Sequence, residues 1–396
     1  MPRLLAQIAA VTAINVKSMP QRAWLSASTV VAVALVVAVL LSFLAMANGF
    51  EQTLRGTGSP EVAVLLRGGA GVEINSSISR DQVRLVEEAP GIARGADGRP
   101  LVSAELYVTV DGRKRAGGSK ANVTLRGMGP EGAAIRPGFR IVGGRMAQPG
   151  SAELMVGQSL VREFAGFDLG SRVRIANADW TVVGVFDMGG SVFESELWAD
   201  IATVQSLFRR TNVFQSIRVR LDAPDRLPAL RAYLDADPRL KLDAKSEVAY
   251  FADQASSTIT LIRFLGWPLA IAMAVGALAG ALNTMYSAVA ARAQEIATLR
   301  CLGFGGIPSF VGTLIESLLL ALLGGLLGAA VTWAAFDGVT ASTLGSGFTQ
   351  VVFAFRLSPV LVFQGVVLAL VVGLLGGLFP AWRAAHVPIV RAYGNG

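Results

Sequence analysis

Cys301 and His386 are the only cysteine and histidine among 396 residues. A structural zinc site needs four ligands drawn mostly from those residue types, a disulfide needs a second cysteine, and a nucleophilic triad needs a histidine beside its nucleophile. The counts exclude a metal site of that kind, a bis-histidine haem site, an internal disulfide and a His-dependent triad. No Gly-x-x-x-x-Gly-Lys-Ser/Thr run occurs, so the sequence encodes no phosphate-cradling loop for ATP. Close acid pairs such as Glu194 and Glu196 read as solvated surface, and the external sequence offers no credible nucleophile–base pairing. What remains is one acid, Glu316, and an amide, Asn283, inside long apolar stretches. Between those stretches runs a short polar pattern, Arg292, Glu295, Ile296, Leu299, Arg300 and Gly303. Such residues suit packing against lipid or protein, not bond-making.

The elements that position them follow from composition. Charged residues make up 16% of the chain, against about 25% in a soluble domain. A helix crosses a hydrocarbon layer with roughly 20 apolar residues. Four stretches qualify: 24–47, 258–290, 310–335 and 357–382. The net charge of +7 raises the question of nucleic acid, but residues 49–257 hold 26 Lys/Arg against 25 Asp/Glu. The excess sits beside the apolar stretches, as Arg3, Lys17, Arg22, Arg292, Arg300, Arg383 and Arg391 against Glu295 alone. That is the positive-inside pattern. It places residues 1–23, 291–309 and 383–396 in the cytoplasm, 48–257 and the loop 336–356 outside, and expects no nucleic-acid partner.

Leu4, Leu5, Ile8, Val11, Ile14 and Asn15 recur at helical spacing up to Pro20, which predicts an amphipathic helix at the inner lipid surface. Ala45-Met46-Ala47 offers a rival reading of the first span as a cleaved signal peptide. The apolar run is about twice the usual length for that, which favours a retained anchor. Residues 48–257 alternate strand and helix patterns and predict an α+β domain. Its core, 48–128 and 211–257, is interrupted by a turn-rich insert, 129–210. From Ser246 to Val289 the chain reads as nearly continuous helix, kinked at Pro268, without the flexible linker that would decouple span from domain.

Three rows of small residues predict close helix packing, or contact with a second copy: Ala272, Gly276 and Gly280; Gly324 and Gly328; Ala369, Gly373 and Gly377. A charge inside a span needs a partner, and Glu316 is expected to take Arg300 or Asn283, or to sit at headgroup depth. In the segment 292–303, Ile296, Leu299 and Leu302 form an apolar face, Glu295 lies within reach of Arg292, and Gly303 ends the helix. Two readings stand for that face: docking on lipid or the chain's own spans, or a socket for a cytoplasmic partner.

The segment resembles the permeases of the MacB/FtsX/LolC type, the mechanotransmission class of ABC transporters. Their Arg-x-x-Glu-Ile-x-x-Leu-Arg-x-x-Gly helix is matched by Arg292, Glu295, Ile296, Leu299, Arg300 and Gly303. Their span glutamate and Gly-Gly-x-x-Gly are matched by Glu316, Gly324, Gly325 and Gly328. Their C-terminal pattern is matched by Gly377, Pro380, Ala381, Arg383, Ala384, Ala385 and Pro388. Ala290 and Ala291 stand where the family usually has an acid.

The resemblance implies a bacterial inner-membrane protein with four transmembrane helices and a large α+β extracytoplasmic domain inserted between helices 1 and 2. It implies no cofactor in this chain and no catalytic residue. ATP and Mg are expected on a separate ABC ATPase subunit, docked on the 292–303 helix. A second permease copy and a periplasmic adaptor are further expected partners. The work implied is export or extraction of a lipid, lipoprotein, peptide or amphipathic molecule. The alternative on the same fold is a non-transporting signalling device that regulates an extracytoplasmic hydrolase or a sensor kinase.

Overall fold

The computed structural model describes residues 2–345 and 349–386, so Pro388 and Arg391 lie outside the described residues. The chain gathers into two compact units. One draws on the stretches up to Asn48, Leu261–Val339 and from Phe355 onward, the other on Gly49–Thr260 and Thr340–Ala354.

The first unit is helical. Pro2–Ser18 leads through a 3-10 turn, Met19–Arg22, into Ala23–Arg55. Pro20 opens that turn, at a position where its missing N–H leaves no bond unmade. Ala23–Arg55, Glu247–Ala291, Gly306–Phe336 and Pro359–Ala385 are four helices long and apolar enough to cross a membrane. The first two continue past the spans into the sequence of the second unit, and Pro268 sits inside the second of them.

Close approach of the spans explains their glycines. An ideal Cβ on Gly324 or Gly328 falls 2.8 or 2.5 Å from the carbonyl oxygens of Val30 and Ala34 on the first span. On Gly373 and Gly377 it falls 2.3 and 2.6 Å from the Cβ atoms of Ala321 and Ser317 on the third. Ser317 Oγ donates across the same contact to the Gly373 carbonyl at 2.7 Å, and Thr29 Oγ1 meets Thr284 Oγ1 of the second span at 3.0 Å. Gly328→Val is therefore expected to destabilise the bundle by about 1–3 kcal/mol through overpacking. A melt of the detergent-solubilised chain reads this directly, and an unchanged midpoint counts against the packing.

The row Ala272, Gly276 and Gly280 does not serve that role within the chain. All three are exposed, and nothing approaches a Cβ on Gly276 or Gly280 within 4 Å. The second span packs through Ala277 and Ala281 instead, with Gly376 opposite Ala281. One position along a helix turns a side chain by about 100°, enough to carry the row off the contact. On the N-terminal helix Val11 and Asn15 are buried against Gly312 of the third span, whereas Leu4, Leu5 and Ile14 stay exposed.

The second unit is built on one mixed sheet. Along its main path the strands run in the order Leu242–Ser246, Val62–Arg67, Ser216–Arg220, Val102–Lys114, Lys120–Met128, Glu196–Asp200, Glu153–Gly157, Ala178–Asp187, Arg140–Gly144, with Phe164–Ala165 added on Val102–Lys114 and Arg172–Ile175 on Ala178–Asp187. The helices Arg80–Glu87 and Leu227–Ala236 cover one end, and Ser79 and Gln82 form a capping box at the start of the former. The long strand Val102–Lys114 serves both ends. Its Val102–Glu105 half pairs with Ser216–Arg220, and from Leu106 it pairs with Lys120–Met128. Leu106, Val108, Val110, Val123 and Leu125 thus join the core of Leu154, Trp180 and Leu197. Residues 106–128 pack with the expected insert rather than with the expected core. The loop 336–356 contains a hairpin, Thr340–Leu344 and Gln350–Ala354. It docks in this unit through Thr349, which bonds Tyr107 Oη at 2.6 Å and Thr124 Oγ1 at 2.9 Å, and through Val352 N, which donates to Ser195 Oγ at 2.9 Å.

Where the two ends of the sheet meet lies a buried ionic network. Arg126 binds Glu73, Glu105 and Glu196 at 2.7, 2.9 and 2.6 Å. Arg218 binds Glu73, Glu105 and Glu247 at 2.8, 2.6 and 2.9 Å, and Arg136 binds Glu105 at 2.8 Å. The expectation that Glu194 and Glu196 are solvated is overturned, since both are buried. Glu196 is held by Arg126 and the Trp198 indole N–H, and Glu194 accepts from Ser159 and the backbone N–H of Met188 and Gly190.

Burial alone would push the Glu105 carboxyl up, but Arg136, Arg218 and Arg126 more than offset it and hold it down at about 2. A carboxyl that titrates lower in the folded chain adds stability that is complete above its unfolded value. That stability drains away as pH falls through the folded value. Glu105 is thus expected to contribute about 3 kcal/mol, undiminished above about pH 5 and lost progressively from about pH 4.3 toward 2. Thermal melts of the full chain at stepped pH check the window, and a loss centred near pH 6 contradicts it.

Candidate coupling site

The helix between the second and third spans is Ala293–Cys301, with Arg292 and Leu302 as its flanking residues. Its end is a Schellman arrangement: Gly303 N donates to the Arg300 carbonyl at 3.1 Å and Phe304 N to the Leu299 carbonyl at 3.0 Å. That geometry needs the left-handed φ of +94° that Gly303 adopts. Ile296 and Ala297 are buried, and Ile296 packs with Val289 of the second span and Ala384 of the fourth. Leu299 and Arg300 are half-buried, whereas Gln294, Glu295, Thr298 and Cys301 are exposed.

Two expectations change here. Leu302 does not join the apolar face: the helix closes before it, and it stands 73% exposed beside the Gly303 reversal. Arg292 is not an exposed docking residue but is 6% exposed, its guanidinium turned into the helices. Nη1 donates to Glu316 of the third span at 3.2 Å, Nε to Glu295 at 3.2 Å, and Nη2 to the amide oxygen of Asn15 on the N-terminal helix.

Glu316 therefore takes Arg292 as its partner and is buried with it, not paired with Asn283. Asn283 is exposed, and its carbonyl accepts from Ser287. Arg22 lies on the same side of the unit, with Nη1 to the Ala288 carbonyl at 3.2 Å and Nη2 to Ser18 Oγ at 3.1 Å. The N-terminal helix reaches the far end of the coupling helix as well, through Gln7 Nε2 to the Gly303 carbonyl at 3.4 Å. Asn15 is the participant that helical spacing did not mark as functional. The signal was present in a lone amide, four residues after Val11, on an otherwise apolar face.

The remaining C-terminal pattern is structural. Gly377, Pro380, Ala381 and Ala384 are buried, Arg383 lies over the Tyr286 ring at 5.6 Å, and His386 Nδ1 is 2.9 Å from the Trp382 carbonyl oxygen. Cys301 is an exposed thiol.

Residues 26–237 match the family described as MacB-like periplasmic core domain, and residues 268–389 the family described as FtsX-like permease C-terminal. The macrolide export ATP-binding/permease protein MacB of Shewanella sp. (strain W3-18-1) is 23% identical over 381 residues, 85% of this chain and 56% of that protein. The macrolide export ATP-binding/permease protein MacB 2 of Yersinia pestis bv. Antiqua (strain Antiqua) is 31% identical over 137 residues, 35% of this chain and 19% of that one. The chain spans about half the length of the first curated relatives it matches, 56% and 46%. The solved periplasmic region of MacB from Actinobacillus actinomycetemcomitans aligns with TM-score 0.37 and 16% identity, over 53% of this chain and 96% of that one. The extracellular domain of the noncanonic ABC-type transporter YknZ from Gram-positive bacteria aligns with TM-score 0.35 and 14% identity, over 47% and 100%.

Proposed function

Because the chain belongs to the MacB/FtsX-type permeases of ABC transporters, we propose that it carries ATP-driven displacement from a separate cytoplasmic ATPase to its large sheet-based unit on the outer side of the inner membrane. The observation that carries the reading is the form of the Ala293–Cys301 helix. Its inner side is fixed on the spans by Ile296, Ala297 and Arg292, and its outer side offers Gln294, Glu295, Thr298 and the exposed Leu302 to a partner. ATP and Mg belong to that partner. The basic residues Lys17, Arg22, Arg292, Arg300 and Arg383 support a cytoplasmic placement of this side and of both termini. The long helices Ala23–Arg55 and Glu247–Ala291 supply the path outward.

The substrate class is a lipid, lipoprotein, peptide or other amphipathic molecule engaged from the membrane or its outer side, with a periplasmic adaptor as an added partner. Affinity purification from native membranes with mass spectrometry tests the reading. An ABC ATPase is expected in the complex, and recovery without any nucleotide-hydrolysing chain overturns it. An extracytoplasmic hydrolase or sensor kinase recovered with the ATPase moves the role from transport to signalling.

The outward row Ala272, Gly276 and Gly280 supports a second copy as partner, since small residues admit a close neighbouring helix. The paired change Gly276→Leu with Gly280→Leu is expected to convert a dimer to monomer by light scattering in detergent. A dimer that persists removes the row from the interface.

A further inference from the structure

Arg292 and Glu316 are both nine-tenths buried, and each sits on a different element. The guanidinium spends each of its three nitrogens in a different direction: Nε on Glu295 of the coupling helix, Nη1 on Glu316 of the third span, Nη2 on Asn15 of the N-terminal helix. A planar fork can make those three bonds at once, and an ammonium on a flexible stem holds them less firmly.

We propose that Asn15, Arg292 and Glu316 form a pin that makes the coupling helix, the N-terminal helix and the third span move as one piece. Arg292 is then a positioning residue for the power stroke and not a contact of the ATPase. This rests on the ATPase-coupled reading above and specifies how the stroke enters the membrane. Apolar contacts such as Ile296 against Val289 and Ala384 let neighbours slide over one another. A buried ion pair does not, because separating it strands a charge in an apolar setting. Displacement of the Ala293–Cys301 helix is thus handed to the third span directly through the ion pair, beside its covalent path into the second span. The third span carries it to the first and fourth through the close contacts at Gly324, Gly328, Gly373 and Gly377. Gln7 on the Gly303 carbonyl closes the far end, so the N-terminal helix brackets the coupling helix at both ends.

The test uses the chain with its co-purified ATPase in nanodiscs. Its readouts are ATPase retention, ATP hydrolysis, and the change in protease sensitivity of the outer unit when nucleotide is trapped with vanadate. Glu316→Gln and Asn15→Leu are expected to retain the ATPase and its hydrolysis while losing most of the nucleotide-dependent change, about ten-fold. The charge exchange of Arg292→Glu with Glu316→Arg is expected to restore a change that Arg292→Glu alone abolishes, with ATPase retention and hydrolysis at wild-type level in both, whereas a merely structural role would lower retention and hydrolysis together with the change. Asn15→Asp keeps the acceptor and is expected to behave as wild type.

A full nucleotide-dependent change in Glu316→Gln overturns the pin, as does an exchange no better than Arg292→Glu alone. Should Glu316→Gln fail to insert, the exchange pair and Asn15→Leu decide the matter by the same criteria. A wild-type complex that hydrolyses ATP with no change in the outer unit overturns the parent reading and the pin together. Loss confined to the variants separates the two.

Discussion

A chain carrying Glu295→Lys is expected to fold and insert as wild type, yet to lose binding of its proposed ATPase partner, or the drive from that ATPase to the outer unit. The basis is local. Glu295 is exposed on the side of the helix turned away from Ile296 and Ala297, and its one described bond is to Arg292. Reversal of a charge at a complementary contact costs several kcal/mol through like-charge juxtaposition, so ATPase affinity should fall by about 100-fold or more. Leu299→Asp is expected to match that loss, because it places a carboxylate on a half-buried apolar position at the edge of the docking side. Pull-down titration of the ATPase against detergent-solubilised variants gives the affinity, with a wild-type elution profile as the control for folding. Wild-type affinity and hydrolysis in both variants would remove this helix from the coupling role.

The second large effect is on stability. Arg218→Met should destabilise the outer unit by about 3–5 kcal/mol, because it leaves buried carboxylates without their partner. Arg218 is fully buried and bonds Glu73, Glu105 and Glu247. Those acids come from a 3-10 turn, a sheet strand and the first residue of the helix Glu247–Ala291, so one substitution loosens three elements. Glu73 and Glu105, which the arginines hold well below the ordinary carboxylate range against the opposing push of burial, should then titrate upward. Chemical denaturation of the full chain, followed by fluorescence of the buried Trp180 and Trp198, measures the loss. A change under about 0.5 kcal/mol would place the residue among ordinary surface substitutions and refute the network's contribution.

The contrast between what was legible and what was hidden has physical causes. The four spans could be read because bilayer thickness fixes a length that few other structures demand. The Gly303 stop could be read because a left-handed helix end has few alternatives to glycine. The ionic network could not. Ser216-Ile217-Arg218-Val219 alternates polar and apolar residues like a strand with one wet face, yet both faces are covered. Nothing local distinguishes a guanidinium aimed at solvent from one aimed at three acids far along the chain.

The hairpin in 336–356 was missed for a similar reason. Its strands are five residues each, and the first, Thr340–Leu344, is mostly small and polar. Its docking comes from hydrogen bonds to Tyr107, Thr124 and Ser195, which leave no hydrophobic pattern. At the coupling site, a lone acid in a span demanded a cation, and the chain had few to give. Arg300, Asn283 and headgroup depth were the alternatives open to Glu316, but the reversal at Gly303 brings the third span back beside Arg292 instead.

Hydrogen exchange on the complex with its ATPase in nanodiscs, with and without trapped nucleotide, tests most directly whether displacement passes from one side of the membrane to the other. If displacement crosses as proposed, protection is expected to change together in 293–301, in 247–254 at the head of the second span's helix, and in the hairpin 340–354. A change confined to 293–301, with the outer segments exchanging identically in both states, would contradict the proposal.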